Sequence, residues 1–446
     1  MTVRFDTALP ALIQWLTAHA TSLPQSDLAI VRDLRGQIRL ISESAEDASW
    51  TQTFEDEITE LLGPYKATGQ FRICLGRDQG FDSFFAAPDA YSCEALPKNW
   101  VVLDRLVTGR EWLYPANAPT GHPLRFVFYG LKGGVGRSTA LSMVAWYLAQ
   151  QGKKVLVIDL DLESPGLGNM LLPVRQDLRE DGDTALPGWP DFGLTDWFAE
   201  DAVGQADQVL LRSMIQPSPM PVAGRGEIIV VPAAGGIYAQ DYVSKLSRAY
   251  ADLPNQEGTA EVFGDRLARA ISQLEEYVKP DVVLLDSRAG IHHISAVALT
   301  RLEAFSYLFA SDSAQTWAGY GALFSHWAIK PETIKRVRRS LRLVSALTPA
   351  AEDRKAYLDT FGEHAFDSFV QLYDDESNME PQADLFSFGP FQVDAPHRPI
   401  CIWHDRVYGS FAPLTQTLQL DAGNARQAFG ELFARIDSDL QPETGT

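Results

Sequence analysis

The chain has 446 residues, and its 38 basic and 58 acidic side chains give a formal net charge of −20. This charge argues against a surface coated with basic residues for nucleic acid. No apolar run approaches the roughly 20 residues that a membrane span needs, and the length allows two or three domains. Cys74, Cys93 and Cys401 lie far apart without a CxxC motif, which predicts a reducing cytoplasm and excludes a disulfide framework or zinc site.

Residues 1–115 are predicted to form a separate small α/β domain. Asp6 and Gln14 interrupt the first apolar segment, so we expect an amphipathic helix there and no signal peptide. The turn-rich segment 116–123 is predicted to be a linker. The pattern predicts helices at 8–20 and 51–63. It predicts a hairpin formed by strands 28–31 and 38–41, and further strands at 71–75 and 100–103.

From 124 to 446, apolar strands alternate with amphipathic helices, which predicts a doubly wound, mostly parallel sheet covered on both faces. A stretch rich in Pro, Gly and Asp at 173–226 is predicted to be an insertion. We predict strands at 124–129, 154–159, 227–232, 281–286, 305–310, 367–373 and 399–403. We predict helices at 137–151, 262–278, 314–328, 331–346 and 422–437.

The most informative segment is a glycine-rich loop at 132–139, Lys-Gly-Gly-Val-Gly-Arg-Ser-Thr, between a predicted strand and a predicted helix. This is the context in which such a loop cradles phosphate. Glycines let backbone N–H groups approach anionic oxygens, and a helix N-terminus adds unpaired amides. We therefore predict that Ser138 binds Mg²⁺ and that phosphate is bound by Gly133, Gly134, Val135, Gly136, Arg137, Ser138 and Thr139.

Two further motifs place carboxylates where strands end. The apolar run 155–158 leads to Asp159 and Asp161, and the run 282–285 leads to Asp286, followed by Ser-Arg-Ala-Gly. Ligands of open α/β folds gather at the carboxyl edge of the sheet. Each motif alone could be a strand that simply ends in solvent, but their order after the loop favours a shared site.

Together these segments resemble the ParA/MinD class of P-loop ATPases (the SIMIBI group) and its KGGVGR variant subset. The resemblance implies a P-loop NTPase core that binds ATP and Mg²⁺. It implies that Lys132 reaches the nucleotide of a second copy across a dimer. It also implies that Asp159 and Asp286 hold the metal and that Asp161 orients the attacking water.

The chain departs from this class at two positions near the phosphates. Arg137 stands where most members have Lys, and Arg288 stands where Pro is common. Arginine is a planar fork with a bulkier head than the lysine ammonium, so Arg137 either holds phosphate from a shifted angle or ends turnover. Because a well-placed arginine can raise phosphoryl-transfer rates by about 10³–10⁵, Arg288 could compensate. The retained Asp161 and Asp286 favour a slow ATPase.

Three functions remain open from the sequence. The first is an ATP-dependent homodimerising switch in the cytoplasm that controls an unidentified partner protein. The second is an inactive nucleotide-binding scaffold. The third is a DNA-associated positioning ATPase, conceivable in a bacterial defence module, that would use the basic residues Arg336, Arg338 and Arg339. The polar face of the last predicted helix is not basic, so we expect no membrane anchor.

Overall fold

The structure is a computed structural model of the chain. It describes residues 3–20, 26–43, 54–87, 90–106, 110–113, 121–173, 188–236, 241–254, 260–349, 353–374 and 385–441. The chain divides into two compact units, Met1–Tyr114 and Pro115–Thr446. Residues 116–120 of the predicted linker and 174–187 of the predicted insertion lie outside the described residues.

The first unit is a five-stranded mixed sheet with helices. Its strand order is β3-β2-β1-β5-β4, and β1 runs antiparallel to β2 and parallel to β5. Asp33 fixes the hairpin turn, because its Oδ1 accepts hydrogen bonds from the N–H groups of Arg35 and Gln37. The elements are α1 (Phe5–Ala18), β1 (Leu28–Arg32), β2 (Ile38–Ser42), α2 (Glu55–Leu62), β3 (Arg72–Cys74), α3 (Asp82–Phe85), β4 (Ala90–Tyr91) and β5 (Trp100–Asp104).

The second unit alternates strands and helices along most of its length. Its first part contains β6 (Leu124–Gly130), α4 (Arg137–Gln150), β7 (Lys154–Asp159), α5 (Leu167–Leu171), α6 (Leu194–Asp201), α7 (Gln208–Ser213), β8 (Gln216–Pro217), β9 (Glu227–Val231), α8 (Tyr242–Ala249), β10 (Leu253–Pro254) and β11 (Ala260–Glu261). Its second part contains α9 (Phe263–Val278), β12 (Val282–Asp286), α10 (His293–Thr300), β13 (Phe305–Ala310), α11 (Ala314–Ala328), α12 (Pro331–Val337), β14 (Leu341–Thr348), α13 (Arg354–Phe369), β15 (Ile400–Trp403) and α14 (Ala422–Asp439).

The large sheet has the order β15-β14-β13-β6-β12-β7-β9-β8, and only the edge pair β8–β9 is antiparallel. Strand β6 lies inside the sheet, and the chain winds outward from it in both directions. Alternate β6 side chains, Phe126 and Phe128 against Val127 and Tyr129, point to opposite faces and are all buried. Both faces are therefore covered, which confirms the predicted doubly wound, mostly parallel α/β fold.

The predicted helix over 331–346 is wrong in its second half. Helix α12 ends at Val337, a short 3₁₀ turn covers Arg338–Ser340, and β14 begins at Leu341. Strand β14 pairs in parallel with β13 on one side and β15 on the other. Ladder hydrogen bonds and burial inside the sheet thus outweigh the helical preference of residues such as Leu and Arg.

The predicted strand over 367–373 is also wrong. Helix α13 runs to Phe369, and a 3₁₀ turn over Val370–Leu372 follows it. Phe361, Ala365 and Phe369 are buried at spacings of four residues, which is the period of one helix face. The aromatic and β-branched content of the segment therefore reflects a helix packed into the core.

The described helices include none with the length and apolar character that crossing a bilayer requires. The described residues contain no disulfide: Cys74 is exposed, Cys93 is half-buried and Cys401 is buried.

Candidate functional site

The glycine-rich loop connects β6 to α4 at the carboxyl end of the large sheet. Gly134 and Gly136 adopt φ values of 75° and 78°, a left-handed conformation that residues with a Cβ rarely accept. Gly136 is the N-cap of α4, and its carbonyl accepts the first helical bond from Ala140 N–H at 2.9 Å. The first-turn amides of this 14-residue helix consequently face the loop, an arrangement suited to anions.

The two strand-end carboxylates lie side by side next to this loop. Strand β12 lies between β6 and β7, and Asp286 is the register partner of Asp159. The two residues are 2% and 1% exposed. Burial raises the pKa of both carboxyl groups, and for Asp159 the neighbouring Asp286 raises the pKa further. Two adjacent buried carboxylates favour a cation between or beside them.

Asp159 also organises the chain that follows β7. Its Oδ1 accepts a hydrogen bond from Asp161 N–H at 3.0 Å, and its Oδ2 accepts bonds from Gly166 N–H at 3.2 Å and Leu167 N–H at 3.1 Å. The carboxylate therefore fixes the turn that carries Asp161 and the start of α5.

Arg137 lies among these carboxylates. Its Nε donates to Asp286 Oδ1 at 3.2 Å, and its Nη2 lies 4.0 Å from Asp161 Oδ2. The residue is 8% exposed, and its Nη1 is buried without a hydrogen-bond partner in the described part of the chain. Burial raises the pKa of Asp161, and the charges of Arg137 and Arg288 oppose that rise. In this structure Arg137 is thus the counter-charge of Asp286 and Asp161.

Arg288 is held by an acidic residue that the sequence reasoning missed. It forms an ion pair with Glu163, whose Oε1 also accepts from Tyr250 Oη at 2.6 Å and lies 3.2 Å from His292 Nε2. Burial would raise the pKa of Glu163, but hydrogen bonds from these three partners outweigh it and lower the pKa to about 2. This Glu163 cluster joins the loop after β7 to the loop after β12. The available signal was the position of Glu163, two residues beyond Asp161.

The loop opens into a cleft of about 510 Å³. Leu347, on the cleft wall at the end of β14, has a left-handed φ of 54° and is 44% exposed. The guanidinium of Arg354 lies 3.8 Å from the ring centre of Trp403. Apart from the polar loop, the cleft is lined mainly by apolar and aromatic residues, namely Met170, Leu347, Ile402, Trp403, Tyr408, Phe411 and Phe429. The cleft therefore suits a ligand with an anionic end and a ring.

The sequence reasoning did not find this apolar wall. Its residues are distant in sequence and carry no motif, and the only signal was that β15 ends at the same sheet edge as β6. Lys132 lines the cleft and is exposed. Arg288, which was also predicted to act on phosphate, is held to one side by Glu163. The structure brings together at this edge most of the other residues predicted to act on phosphate or metal: Arg137, Ser138, Asp159, Asp161 and Asp286.

The donor set fits a magnesium ion that is shared with a phosphate ligand. The described residues contain no group of three or more His, Cys, Asp or Glu side chains placed to hold a metal by themselves. Mg²⁺ usually takes one or two carboxylates together with substrate phosphates and water. The Ser138 hydroxyl donates to Asp286 and lowers the pKa of that carboxyl group, so a hydroxyl and a carboxylate already lie together at the loop.

Comparisons with known proteins agree with the motifs. A family model described as an AAA domain matches residues 126–166, which include the glycine-rich loop, Asp159 and Asp161. A putative replication protein A from Sinorhizobium fredii is 23% identical over 246 residues, which cover 55% of this chain and 54% of that protein. The chain thus spans about half the length of this curated relative.

Solved structures with a similar course of the chain include a ParA family ATPase from Chlorobium tepidum, with a TM-score of 0.40, 16% identity and coverage of 71% of this chain and 98% of that one. They also include the septum site-determining protein MinD complexed with Mg-ADP from Pyrococcus horikoshii, with a TM-score of 0.38, 16% identity and coverage of 71% and 96%.

Proposed function

We propose that this chain is a cytoplasmic ATP- and Mg²⁺-binding switch with slow ATPase activity. One observation carries the proposal. A loop with two left-handed glycines lies beside a pair of buried strand-end carboxylates and opens into a cleft with an aromatic wall. The two halves of this cleft match the two halves of a nucleotide, its phosphates and its base.

Each part of the site has a role in this proposal. Backbone N–H groups of 133–139 bind the phosphates, while Trp403 and Tyr408 contact the base. Ser138 and Asp286 hold Mg²⁺ directly or through water, and Asp159 supports its hydration shell. When bound, the ion neutralises phosphate charge and orients the oxygens for in-line attack. Asp161 positions the attacking water.

Slow turnover follows from the contacts of Arg137. The guanidinium contacts Asp286, a proposed metal residue, so binding of Mg²⁺ and ATP competes with an ion pair that is already buried. Either the arginine moves toward phosphate or it stays beside the carboxylates. Both routes add a step that a lysine in the glycine loop does not need.

The switch itself would be a nucleotide-dependent homodimer. Lys132 is exposed at the start of the loop and would reach the nucleotide of the second copy, while the first unit engages a partner protein. Light scattering with ATP and Mg²⁺ should detect a dimer in the wild type and not in Lys132→Ala. Dimers that persist unchanged in the variant would count against this role for Lys132.

Fluorescence anisotropy of a labelled ATP analogue tests the nucleotide site. We expect Mg²⁺ to tighten binding to the wild type, and Ser138→Ala to lose most of that gain. Trp403→Ala should weaken binding with and without the ion, because it removes part of the base contact. Ser247→Ala, at an exposed helical serine, is the matched control and should bind as the wild type does. Equal binding by all four proteins would refute the assignment.

The inactive scaffold is the second candidate, and a specific contact favours it. Arg137 approaches both Asp286 and Asp161, so it could block the metal residue and the water-orienting residue together. A phosphate-release assay on the wild type and Asp161→Ala separates the two candidates. If both proteins release phosphate only at the background rate, the scaffold is favoured. If the wild type releases phosphate faster and the substitution abolishes this activity, the ATPase is favoured.

Binding to DNA receives less support from the geometry. The three arginines proposed for it do not share one helix face, because Arg338 is buried and paired with Asp374, Arg336 is half-buried and only Arg339 is exposed. A salt-dependent gel shift that disappears when Arg336 and Arg339 become Glu would restore this candidate.

A further inference from the structure

A second cavity, of about 420 Å³, lies at the opposite end of the large sheet from the nucleotide cleft. It is lined by Arg338 and Arg339 just before β14, by Pro399 and Ile400 where β15 begins, and by part of α14. Strands β14, β13 and β6 are parallel. The amino end of β14 and the glycine-rich loop, which follows the carboxyl end of β6, therefore lie at opposite ends of the strands. The two cavities are therefore separate sites.

The wall of this cavity carries an excess of positive charge. Its carboxylates are Asp394 and Glu431, and Glu431 Oε2 already accepts a hydrogen bond from Cys401 N–H at 2.9 Å. Five guanidinium groups face these two acids: Arg338, Arg339, Arg342, Arg398 and Arg435. The chain as a whole has a net charge of −20, so a cluster of five arginines is opposite in sign to the overall charge of the protein.

Three of these guanidinium groups are paired with carboxylates that lie behind the cavity wall. Asp374 binds Arg338 through two contacts of 2.6 and 2.9 Å, and Asp439 binds Arg342 at 2.9 Å. Neither carboxylate belongs to the cavity wall. Asp439 also lies 3.0 Å from Arg435, so one carboxylate is shared by two cations. These pairs fix the positions of the arginines and offset part of their charge. Together with Asp394 and Glu431, the two carboxylates leave the five guanidinium groups with an excess of one positive charge.

The wall also has unsatisfied hydrogen-bonding capacity. The Arg338 side chain is 8% exposed, and its Nε is buried without a hydrogen-bond partner in the described ranges. Arg398 is exposed and has no ion pair with any described residue. Buried donors normally find partners, and planar guanidinium forks match carboxylate and phosphate groups.

Apolar surface lies beside the charged groups. Phe386 and Phe388 line the cavity, and the guanidinium groups of Arg338 and Arg339 lie 4.5 and 5.6 Å from the ring centre of Phe386. Val393, on the same wall, is 75% exposed. The volume falls within the roughly 300–1,000 Å³ that is typical of small-molecule sites.

We propose that this arginine cavity binds a small multiply charged anion, with phosphate or carboxylate groups on the arginines and an apolar part against Phe386 and Phe388. The assignment does not depend on nucleotide binding at the glycine-rich loop. It makes the chain a protein with two ligand sites, one at each end of the same sheet.

Calorimetric titration with pyrophosphate and with citrate, in EDTA and at fixed ionic strength, tests the proposal. We compare the wild type with Arg339→Gln/Arg398→Gln, which removes two exposed guanidinium groups and leaves the buried ion pairs intact. The matched control is Arg426→Gln, at an exposed arginine of helix α14 that does not line the cavity. Lys132→Ala reports separately on the glycine-rich loop.

At least one anion should bind the wild type at least tenfold more tightly than the double variant. Arg426→Gln and Lys132→Ala should retain that binding, and the double variant should retain ATP binding. A loss for pyrophosphate alone identifies a phosphate ligand, and a loss for citrate alone identifies a carboxylate ligand. Identical titrations of the wild type and the double variant would overturn the proposal. A DNA duplex is titrated in parallel, and a loss of binding in the double variant that is seen with the duplex alone would replace the proposal with a nucleic-acid surface.

Discussion

The two ends of the large sheet differ in the sign of their unmatched charge. At the carboxyl end, Arg137 pairs with the buried Asp286 and lies 4.0 Å from Asp161, while Arg288 is occupied by Glu163 and Asp159 is buried beside Asp286. At the amino end, five arginines line a cavity with two acids on its wall. Under the two proposals above, the same sheet binds a metal cation with its phosphate ligand at one end and an anion at the other. The charged side chains next to the strand ends, rather than the fold itself, decide which ligand each end of the sheet accepts.

Removing the cation from the acidic edge should have the largest effect. Arg137→Ala leaves Asp286 without its ion pair, and breaking a buried pair typically costs about 3–5 kcal/mol. Urea denaturation should show this loss, while Arg212→Ala, at an exposed arginine, should change stability by less than about 0.5 kcal/mol.

The pH dependence of this variant sharpens the prediction. Without Arg137, the folded-state pKa of Asp286 lies further above its unfolded value, so the folded state holds the proton longer. Stability then falls as pH rises from the unfolded pKa through the folded pKa. We therefore expect the variant to lose little free energy of unfolding relative to the wild type at acid pH, and to lose more as the pH rises toward neutrality. A deficit independent of pH would indicate that the Arg137–Asp286 pair is not its source.

Replacing the arginine by lysine should change the rate more than the stability. Arg137→Lys retains a cation near Asp286 but supplies a compact ammonium that suits the glycine-rich loop. We expect phosphate release at least about tenfold faster than in the wild type, equivalent to about 1.4 kcal/mol of activation free energy. A slower variant would show that the wild-type guanidinium takes part in catalysis.

The Glu163 cluster should contribute less, because Glu163 is partly exposed. Glu163→Gln weakens three contacts, and we expect a loss of about 1–2 kcal/mol. Glu276→Gln, at an exposed glutamate of α9, is the control. Since the pKa of Glu163 is lowered from 4.5 to about 2, the contribution is complete above pH 4.5. It should disappear as pH falls toward 2, which denaturation curves at several pH values can check.

The smallest effect is expected at Leu347. Its left-handed conformation is strained for a residue with a Cβ by about 1–2 kcal/mol, whereas glycine adds a flexibility cost of about 0.5–1 kcal/mol. Leu347→Gly should therefore raise stability slightly while lowering ATP affinity, because the cleft loses an apolar wall residue. The control Leu418→Gly, at another exposed leucine, should lower stability and leave affinity unchanged. Thermal melts and ATP titrations measure both.

The sequence predicted the parts of the site that depend on local order along the chain. The glycine-rich loop, Asp159 and Asp286 each follow a strand directly, so their meeting at one edge could be inferred from parallel pairing. The contact between Arg137 and Asp286 could not, since it joins residues 149 positions apart through a side-chain conformation that no pattern records.

The errors have a common physical cause. Residues 341–346 are predicted as the end of a helix because they tolerate a helix, whereas they form most of β14 through pairing with β13 and β15. The aromatic wall of the cleft and the arginine cavity likewise depend on which strands become neighbours. Position along the sheet, set by long-range pairing, is the information that a single sequence carries least directly.

Calorimetric titration of the wild-type chain with ATP, with and without Mg²⁺, tests the central claim most directly. We predict saturable heat at one site per chain and tighter binding when the ion is present. No detectable heat from ATP under either condition would contradict the assignment of the acidic edge as a nucleotide and magnesium site.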